Sequence, residues 1–278
     1  MFLGKSKSNQ IFYKTDDEIA LIRESCIIVC KTIAHVASIL KPGVTGTYID
    51  KEAETFIRDH KGVPTFKGYS GFPNSLCVSV NDQVVHGIPS DKVFEDGDIV
   101  SVDCGVYLND YHGDAAYTLA IGNVPDKTMD LLSVTLTSLY KGIEQAIEGN
   151  RIEDIGFAVQ DYAERKNRYY VVKELVGHGI GRNLHEDPQV PNYGKRGKGI
   201  MLKSGLCIAI EPMINMGTRE VKTLSDDWTV VAHDRKPSAH FEHTVAVRKK
   251  SAEILSDHSF IENAIKNNSE LREVSIKL

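Results

Sequence analysis

The strongest constraint on the fold is that acidic residues lie inside or at the end of apolar, β-branched runs. Residues 99–102 (Ile-Val-Ser-Val) precede Asp103, residues 206–210 (Leu-Cys-Ile-Ala-Ile) precede Glu211, and Glu242 lies within another such run. These runs predict strands, and a buried carboxylate is rare unless it is paired or binds a cation. We therefore expect these acids to share partners in the protein interior.

Two further residues, an aspartate and a histidine, belong with these acids. Asp114 follows Asp103 across a segment whose Asn109-Asp110 pair is typical of a hairpin turn, so the hairpin can place both carboxylates side by side. His178 lies in Gly-His-Gly-Ile-Gly, where the small neighbours let a ligand approach the imidazole closely. Four carboxylates and one imidazole place a charge of about −4 in one pocket, which two divalent cations or extensive protonation could hold together. The sequence predicts a dinuclear metal site.

The composition excludes several classes of partner. The 278 residues are compatible with one α/β or α+β domain, and the net charge of −5 is interspersed, with no footprint for nucleic acid or a membrane surface. Apolar runs fall short of the ~18 to 20 residues of a membrane span, and the start lacks a signal-peptide core. The five cysteines lack a C-x-x-C pair and indicate reduced, buried thiols. We expect a cytoplasmic protein, by default a monomer.

The order of predicted elements suggests one αβ unit used twice. A capping box, Thr15-Asp-Asp-Glu18, begins a helix that Pro42-Gly43 ends. The remaining predicted elements are a helix from near Thr47 to before Gly62, an antiparallel meander over 63–121, helices over about 126–148 and 152–166, and strands at 169–175, 206–211, 228–232 and 241–248. The polar tail beyond 255 is expected at the periphery.

Six short motifs carry a resemblance to a known family. They are Val85-His-Gly-Ile-Pro, Asp98-Ile-Val-Ser-Val-Asp103, His112-Gly-Asp114, Gly177-His-Gly-Ile-Gly-Arg-Asn-Leu-His185-Glu, Ile210-Glu-Pro-Met213 and Phe241-Glu-His-Thr244. Over residues 12–250 the chain resembles the type I methionine aminopeptidases, M24-type metallopeptidases with the pita-bread fold. This implies an α+β fold with two pseudo-symmetric halves around a curved antiparallel sheet, in one catalytic domain over 1–278 with a peripheral tail at 255–278.

The resemblance also implies an activity and its residues. The reaction would be removal of the initiator methionine from peptides and nascent chains, before a small second residue, by water activated at two divalent ions of Co, Mn, Fe or Zn. The implied metal ligands are Asp103, Asp114, His178, Glu211 and Glu242, of which Asp114 and Glu242 would bridge the ions. Glu211 would act as general base, His185 would donate to the carbonyl oxygen and His86 would contact the scissile nitrogen.

The same resemblance implies a pocket for the methionine side chain. The implied substrate-binding residues are Tyr69, Phe72, Cys77, His86, His185 and Trp228. Phe66 stands where bacterial members often have Cys, and Leu184 where they often have an aromatic residue, so the width and depth of the pocket stay open. His112 and His243 each adjoin a predicted ligand in sequence, and we expect them to support the ligands from the opposite face of their strands.

Three other functions are compatible with parts of this pattern. Xaa-Pro aminopeptidases and prolidases use a similar metal set, although they usually carry a large N-terminal domain and only about 80 residues precede His86 here. A non-catalytic binding protein would typically have lost ligands, and a phosphate-ester hydrolase would call for clustered Arg or a Gly-rich cradle. A transient ribosome contact through Lys195-Arg196-Gly-Lys198 is a further hypothesis.

Overall fold

A computed structural model describes residues 10–277 of the chain. Its helices are α1 (Asp16–Ile39), α2 (Gly46–Asp59), α3 (Asp126–Ile143), α4 (Ile152–Gln160), which continues into a π-helical turn (Asp161–Lys166), and α5 (Ser259–Lys266). The predicted capping box is confirmed, because the Thr15 side chain accepts from the Glu18 N–H and the Glu18 carboxylate accepts from the Thr15 N–H. None of the helices in this described part is both long and apolar enough to cross a membrane.

One helix is shorter than the sequence pattern indicates. The period predicts a helix to about residue 148, but α3 ends at Ile143. The following residues instead turn and pair with a distant segment, as Ile147 bridges Arg248 and the Glu148 N–H donates to the Arg248 carbonyl. Tertiary pairing therefore overrides the local helical pattern.

The strands form one large sheet and two small ones. They are β1 (Val63–Pro64), β2 (Leu76–Val80), β3 (Gln83–Val85), β4 (Ile99–Leu108), β5 (Tyr111–Ile121), β6 (Tyr170–Val171), β7 (Gly177–Gly179), β8 (Glu186–Val190), β9 (Cys207–Ile210), β10 (Met213–Asn215), β11 (Val221–Thr223), β12 (Val230–Ala232), β13 (Ser238–His240), β14 (Glu242–Ala246), β15 (Glu253–Ile254) and β16 (Leu271–Arg272). The main sheet runs β1-β4-β5-β14-β9-β7-β8, with antiparallel neighbours throughout. The predicted α+β class is confirmed.

The helices cover one face of the main sheet, which we call the back face. Helix α1 packs on β4 and β5, and α3 packs on β9 and β14. The approach of α1 is so close that a Cβ at Gly113 would lie 2.4 Å from the Cys26 backbone nitrogen. Within residues 10–277, the helices that pack on β4, β5 and β14 are α1 and α3 on the back face, which leaves the opposite, front face available for a site.

The C-terminal tail is not peripheral. Ile261 and Ile265, four apart on α5, are buried against the core, and α5 packs on α1. The Asn268 side-chain amide donates to two carbonyls at the end of α1, and β16 adds a strand beside β5. The expectation of a peripheral tail is therefore wrong, because its polar composition hides one apolar helix face.

Candidate active site

Three carboxylates reach the front face through strand register. Strands β4 and β5 form a hairpin in which Asp103 lies opposite Ala116 and Gly105 opposite Asp114. The neighbouring strand β14 places Glu242 opposite the same Ala116. Because directly opposed residues in antiparallel strands point to one face, Asp103, Asp114 and Glu242 share the front face.

The alternation of strand side chains brings the remaining two predicted ligands to that face. Strand β9 pairs with β14 so that Ile210 lies opposite His243 on the back face. The next residue, Glu211, consequently points to the face of Glu242, and His178 on β7 points there as well. Strands β4, β5, β14, β9 and β7 are consecutive in the sheet, so each contributes or directly precedes one member of the predicted set.

The distances show how closely these groups converge. Ligand atoms of Asp114, His178 and Glu242 all lie within 4.8 Å of one another. His178 Nε2 is 3.7 Å from Glu211 Oε1 and 3.9 Å from Asp114 Oδ2. The Asp103 side chain is in hydrogen-bonding contact with the carboxyl group of Asp114. The structure thus brings all five predicted ligands into one cluster.

The electrostatics of this cluster are unfavourable without a cation. Burial raises the pKa of Asp103 to about 7, although the contact with Asp114 opposes this shift. Burial, and then repulsion from neighbouring carboxylates, raises the pKa values of Asp114, Glu211 and Glu242 well above their ordinary range. Repulsion among acids on one small face destabilises their charged forms.

The donor set fits divalent metal ions. Among the described residues, Asp103 Oδ1, Asp114 Oδ1 and Glu242 Oε1 are buried without a hydrogen-bond partner. Buried acceptors of this kind are costly unless something satisfies them. Carboxylate oxygens with one imidazole are ligands for ions such as Mn²⁺, Fe²⁺, Co²⁺ and Zn²⁺.

The proton on His178 is placed by its neighbour. Nδ1 is 2.9 Å from the Gly179 carbonyl oxygen, which can only accept, so Nδ1 carries the hydrogen and donates it. Burial lowers the pKa of His178 to about 4, so the ring is neutral. Its Nε2 lone pair therefore lies on the side of Asp114 and Glu211, as a metal ligand requires.

The two other predicted histidines adjoin this cluster. The His185 ring meets the His178 ring edge to face, with centroids 4.3 Å apart. Burial, and then the nearby His178, lower the pKa of His185 to about 2. Burial, and then His240, lower the pKa of His86 to about 3. Both rings are neutral at physiological pH, and each can donate one hydrogen bond and accept another.

Sequence reasoning missed one residue of the cluster. His240 is buried, and its Nε2 is 3.8 Å from Glu211 Oε2, without a hydrogen-bond partner in the described part of the chain. The signal was present in the motif, because His240 lies two residues before Glu242 in an extended segment. Residues two apart on such a segment point to the same face.

The two supporting histidines lie on different faces. His243 is on the back face, as expected, with Nδ1 2.8 Å from Ser256 Oγ. His112 is two residues from Asp114 and therefore shares its face, so the expectation that it points away is wrong. Its Nδ1 is 3.0 Å from Thr65 Oγ1, a contact that holds the ring at the edge of the site.

Four of the six predicted pocket residues, all except His86 and His185, belong to one apolar cluster. This cluster includes Phe66, Tyr69, Phe72, Cys77, Leu184 and Trp228. The rings of Phe72 and Trp228 meet edge to face at 5.2 Å, and Cys77 lies opposite Asp103 in the register of β2 and β4. The Phe66 ring lies so close to β4 that a Cβ at Gly105 would be 2.7 Å from it. The pocket wall therefore adjoins the cluster of predicted metal ligands directly.

Comparisons with known proteins agree with this site. Residues 20–249 match the profile of metallopeptidase family M24. The chain is 49% identical over 246 residues to methionine aminopeptidase 1 of Bacillus subtilis, covering 88% of this chain and 99% of that protein. It is likewise 49% identical over 247 residues to the methionine aminopeptidase of Clostridium acetobutylicum, with 88% and 98% covered. The crystal structure of methionine aminopeptidase from Rickettsia prowazekii superposes with a TM-score of 0.87 at 38% identity, covering 89% of this chain and 100% of that one.

Proposed function

The chain belongs to metallopeptidase family M24, and we infer that it is a methionine aminopeptidase, which removes the first residue from peptides and nascent proteins that begin with methionine. One observation carries this inference. Five predicted ligand side chains on or directly after consecutive strands point to one sheet face, where ligand atoms of Asp114, His178 and Glu242 lie within 4.8 Å of one another. Three of the carboxylate oxygens in this set have no hydrogen-bond partner among the described residues.

The five predicted ligands are suited to hold two metal ions. Asp103, Asp114, His178, Glu211 and Glu242 would hold two divalent ions, because one ion leaves too much negative charge uncompensated in a buried cluster. Bound ions of this type polarise a carbonyl group and acidify a water molecule. The chain's own contribution is to hold the ligands on one rigid sheet and to keep His178 in its Nδ1–H tautomer.

Proton transfer is assigned to Glu211. As a carboxylate at the edge of the cluster, it accepts a proton from the attacking water and returns it to the leaving nitrogen. Its Asn192 neighbour fixes the backbone at this point, because the Asn192 amide donates to the Glu211 carbonyl at 2.9 Å. His185 donates to the carbonyl oxygen as negative charge develops, and His86 contacts the scissile nitrogen.

Substrate selection is assigned to the apolar cluster beside the metal ligands. Tyr69, Phe72, Cys77 and Trp228, with His86 and His185 at its inner end, surround the methionine side chain, and a narrow neighbouring subsite favours a small second residue. The enzyme acts in the cytoplasm as a monomer. The exposed basic run at 195–198 would provide any transient contact with the ribosome.

A matched set of peptides tests this function. Purified apo-protein is loaded with Mn, Fe, Co or Zn, and release of the first residue is measured from Met-Ala-Ser, Leu-Ala-Ser and Ala-Pro-Ala. Metal-dependent cleavage of the methionine peptide alone is expected. Preference for the proline peptide would make the protein a prolidase relative, and no cleavage despite bound metal would overturn the assignment as an aminopeptidase.

A further inference from the structure

Tyr69 and His185 make a direct polar contact beside the predicted metal ligands. Tyr69 Oη is 2.7 Å from His185 Nδ1, and the rings meet edge to face with centroids 5.3 Å apart. A residue that only forms an apolar wall has no need of such a bond, since Phe supplies the same surface. The contact therefore points to a second role for Tyr69.

The backbone holds Tyr69 rigidly. It lies on the 3-10 turn Tyr69–Gly71, where its N–H donates to the Phe66 carbonyl and its own carbonyl accepts from the Phe72 N–H, both at 2.9 Å. Gly68 enters the turn with a left-handed φ of 85°. A hydroxyl fixed in this way is held in place before substrate binds, which is what precise positioning of a partner requires.

The hydrogen bond can have only one of two polarities. A neutral imidazole carries one N–H, and a phenol can either donate or accept this hydrogen bond, which joins Tyr69 Oη to His185 Nδ1. If the phenol donates to Nδ1, the ring proton lies on Nε2. If Nδ1–H donates to the phenol oxygen, Nε2 has no proton and can only accept.

We propose that Tyr69 is a positioning residue that donates its phenolic hydrogen bond to Nδ1 of His185 and so keeps the ring proton on Nε2. This inference rests on the proposed function, since only the N–H tautomer at Nε2 lets His185 stabilise a developing oxyanion with that atom. A donor whose proton and orientation are set in advance needs no reorganisation during the reaction.

Nitrogen NMR on the metal-free protein tests the polarity without any activity measurement. The protein is labelled with ¹⁵N in its histidine rings, and the His185 signals are identified by their loss in His185→Gln. We expect an unprotonated Nδ1 and a protonated Nε2 in the wild type, with a shifted Nδ1 signal in Tyr69→Phe. A protonated Nδ1 in the wild type would overturn the proposal.

Kinetics of the metal-loaded enzyme show whether Tyr69 positions His185 or only lines the substrate pocket. Tyr69→Phe should lower kcat roughly 10- to 100-fold, as loss of a partner that orients a site residue commonly does, with KM and metal content nearly unchanged. The matched control is Tyr169→Phe, which removes a bond of the same length, to Asp130 on α3 (2.7 Å), in a different apolar cluster and should leave kcat unchanged. A raised KM with unchanged kcat in Tyr69→Phe would reduce Tyr69 to a pocket wall.

The two measurements distinguish failure of this inference from failure of the proposed function. If the wild type releases methionine but Tyr69→Phe retains full kcat, the positioning role is wrong and the function stands. If the wild type cleaves no methionine peptide, the proposed function is wrong, whereas the NMR result still decides which ring nitrogen of His185 carries the proton.

Discussion

Glu242 and His243, which are neighbours on opposite faces of strand β14, are both buried polar side chains but differ in their hydrogen-bond partners. On the front face Glu242 is 2% exposed, and its Oε1 has no hydrogen-bond partner within residues 10–277. On the back face the next residue, His243, is 1% exposed, but Nδ1 is 2.8 Å from Ser256 Oγ and Nε2 is 3.2 Å from Tyr140 Oη. Burial is the same on both faces, and only the partners differ.

This difference separates a binding group from a structural one. A buried carboxylate oxygen without a donor costs free energy unless a ligand such as a cation satisfies it. A buried imidazole bonded at both nitrogens contributes to stability instead. The contrast predicts that changes on the front face remove function and that changes on the back face remove stability.

The largest expected effect comes from substituting the two neighbours themselves. Glu242→Ala should abolish metal loading and methionine release together, with the fold retained, because it removes a ligand and relieves repulsion among buried acids. His243→Ala should keep metal binding but lower the free energy of unfolding by roughly 2 to 4 kcal/mol, since it leaves a cavity and unpaired hydroxyls. Metal analysis and chemical denaturation measure both. Metal loss in His243→Ala at full stability would break the comparison.

A second, smaller effect distinguishes two kinds of front-face residue, those that bind metal and those that act on substrate. His185→Ala should retain the metals and lower kcat by roughly 10²- to 10³-fold, the usual effect of losing an oxyanion donor. The ring of His178 contacts His185 edge to face, and the His178→Ala variant should lose metal binding. Metal content and steady-state kinetics on the two variants decide the matter, and loss of metal from His185→Ala would move that residue among the ligands.

The pH dependence of stability tests the raised pKa of one front-face acid, Asp103. Asp103 has a folded pKa of about 7 against an ordinary value of 3.8, so between these values the folded state binds the extra proton. In metal-free protein, wild type should therefore lose stability relative to Asp103→Asn as pH rises from 4 to 7, by on the order of a few kcal/mol. Urea denaturation of both proteins with a chelator present measures it, and a pH-independent difference would contradict the raised pKa.

The sequence was sufficient to place the predicted ligands on one sheet face but not to show which residues support them. Asp103, Asp114 and Glu242 could be predicted because period-two alternation and the Asn109-Asp110 turn are local features, and both turn residues adopt the expected positive φ of 51° and 67°. The contact between Tyr69 and His185 joins residues far apart in sequence, so no local pattern could indicate it.

The same reasoning explains the errors made from the sequence. The burial of α5 depends on its packing against α1, and the end of α3 depends on pairing at Arg248, neither of which is encoded in the local period. His112 is different, because the two-residue spacing from Asp114 was visible in the sequence. That misplacement came from applying strand alternation with the wrong parity.

On the back face, the C-terminal tail supports β14 through one atom, Ser256 Oγ, whose contribution to stability can be measured alone. Ser256→Ala removes the Oγ that contacts His243 Nδ1 at 2.8 Å and accepts from the Thr244 N–H at 3.1 Å. Two buried polar groups lose a partner, so the free energy of unfolding should fall by about 1 to 3 kcal/mol. Metal content and kcat should stay at the wild-type level, and a fall in either would show that the tail acts on the front face.

The smallest expected effect is at the other nitrogen of the same ring. Tyr140→Phe removes only the longer 3.2 Å bond to His243 Nε2 and keeps the edge-to-face ring contact at 5.5 Å. Since a typical hydrogen bond contributes about 1 kcal/mol net, we expect a loss of that size in urea denaturation. A loss larger than that of Ser256→Ala would mean that α3, which carries Tyr140, supports this face of β14 more than the tail does.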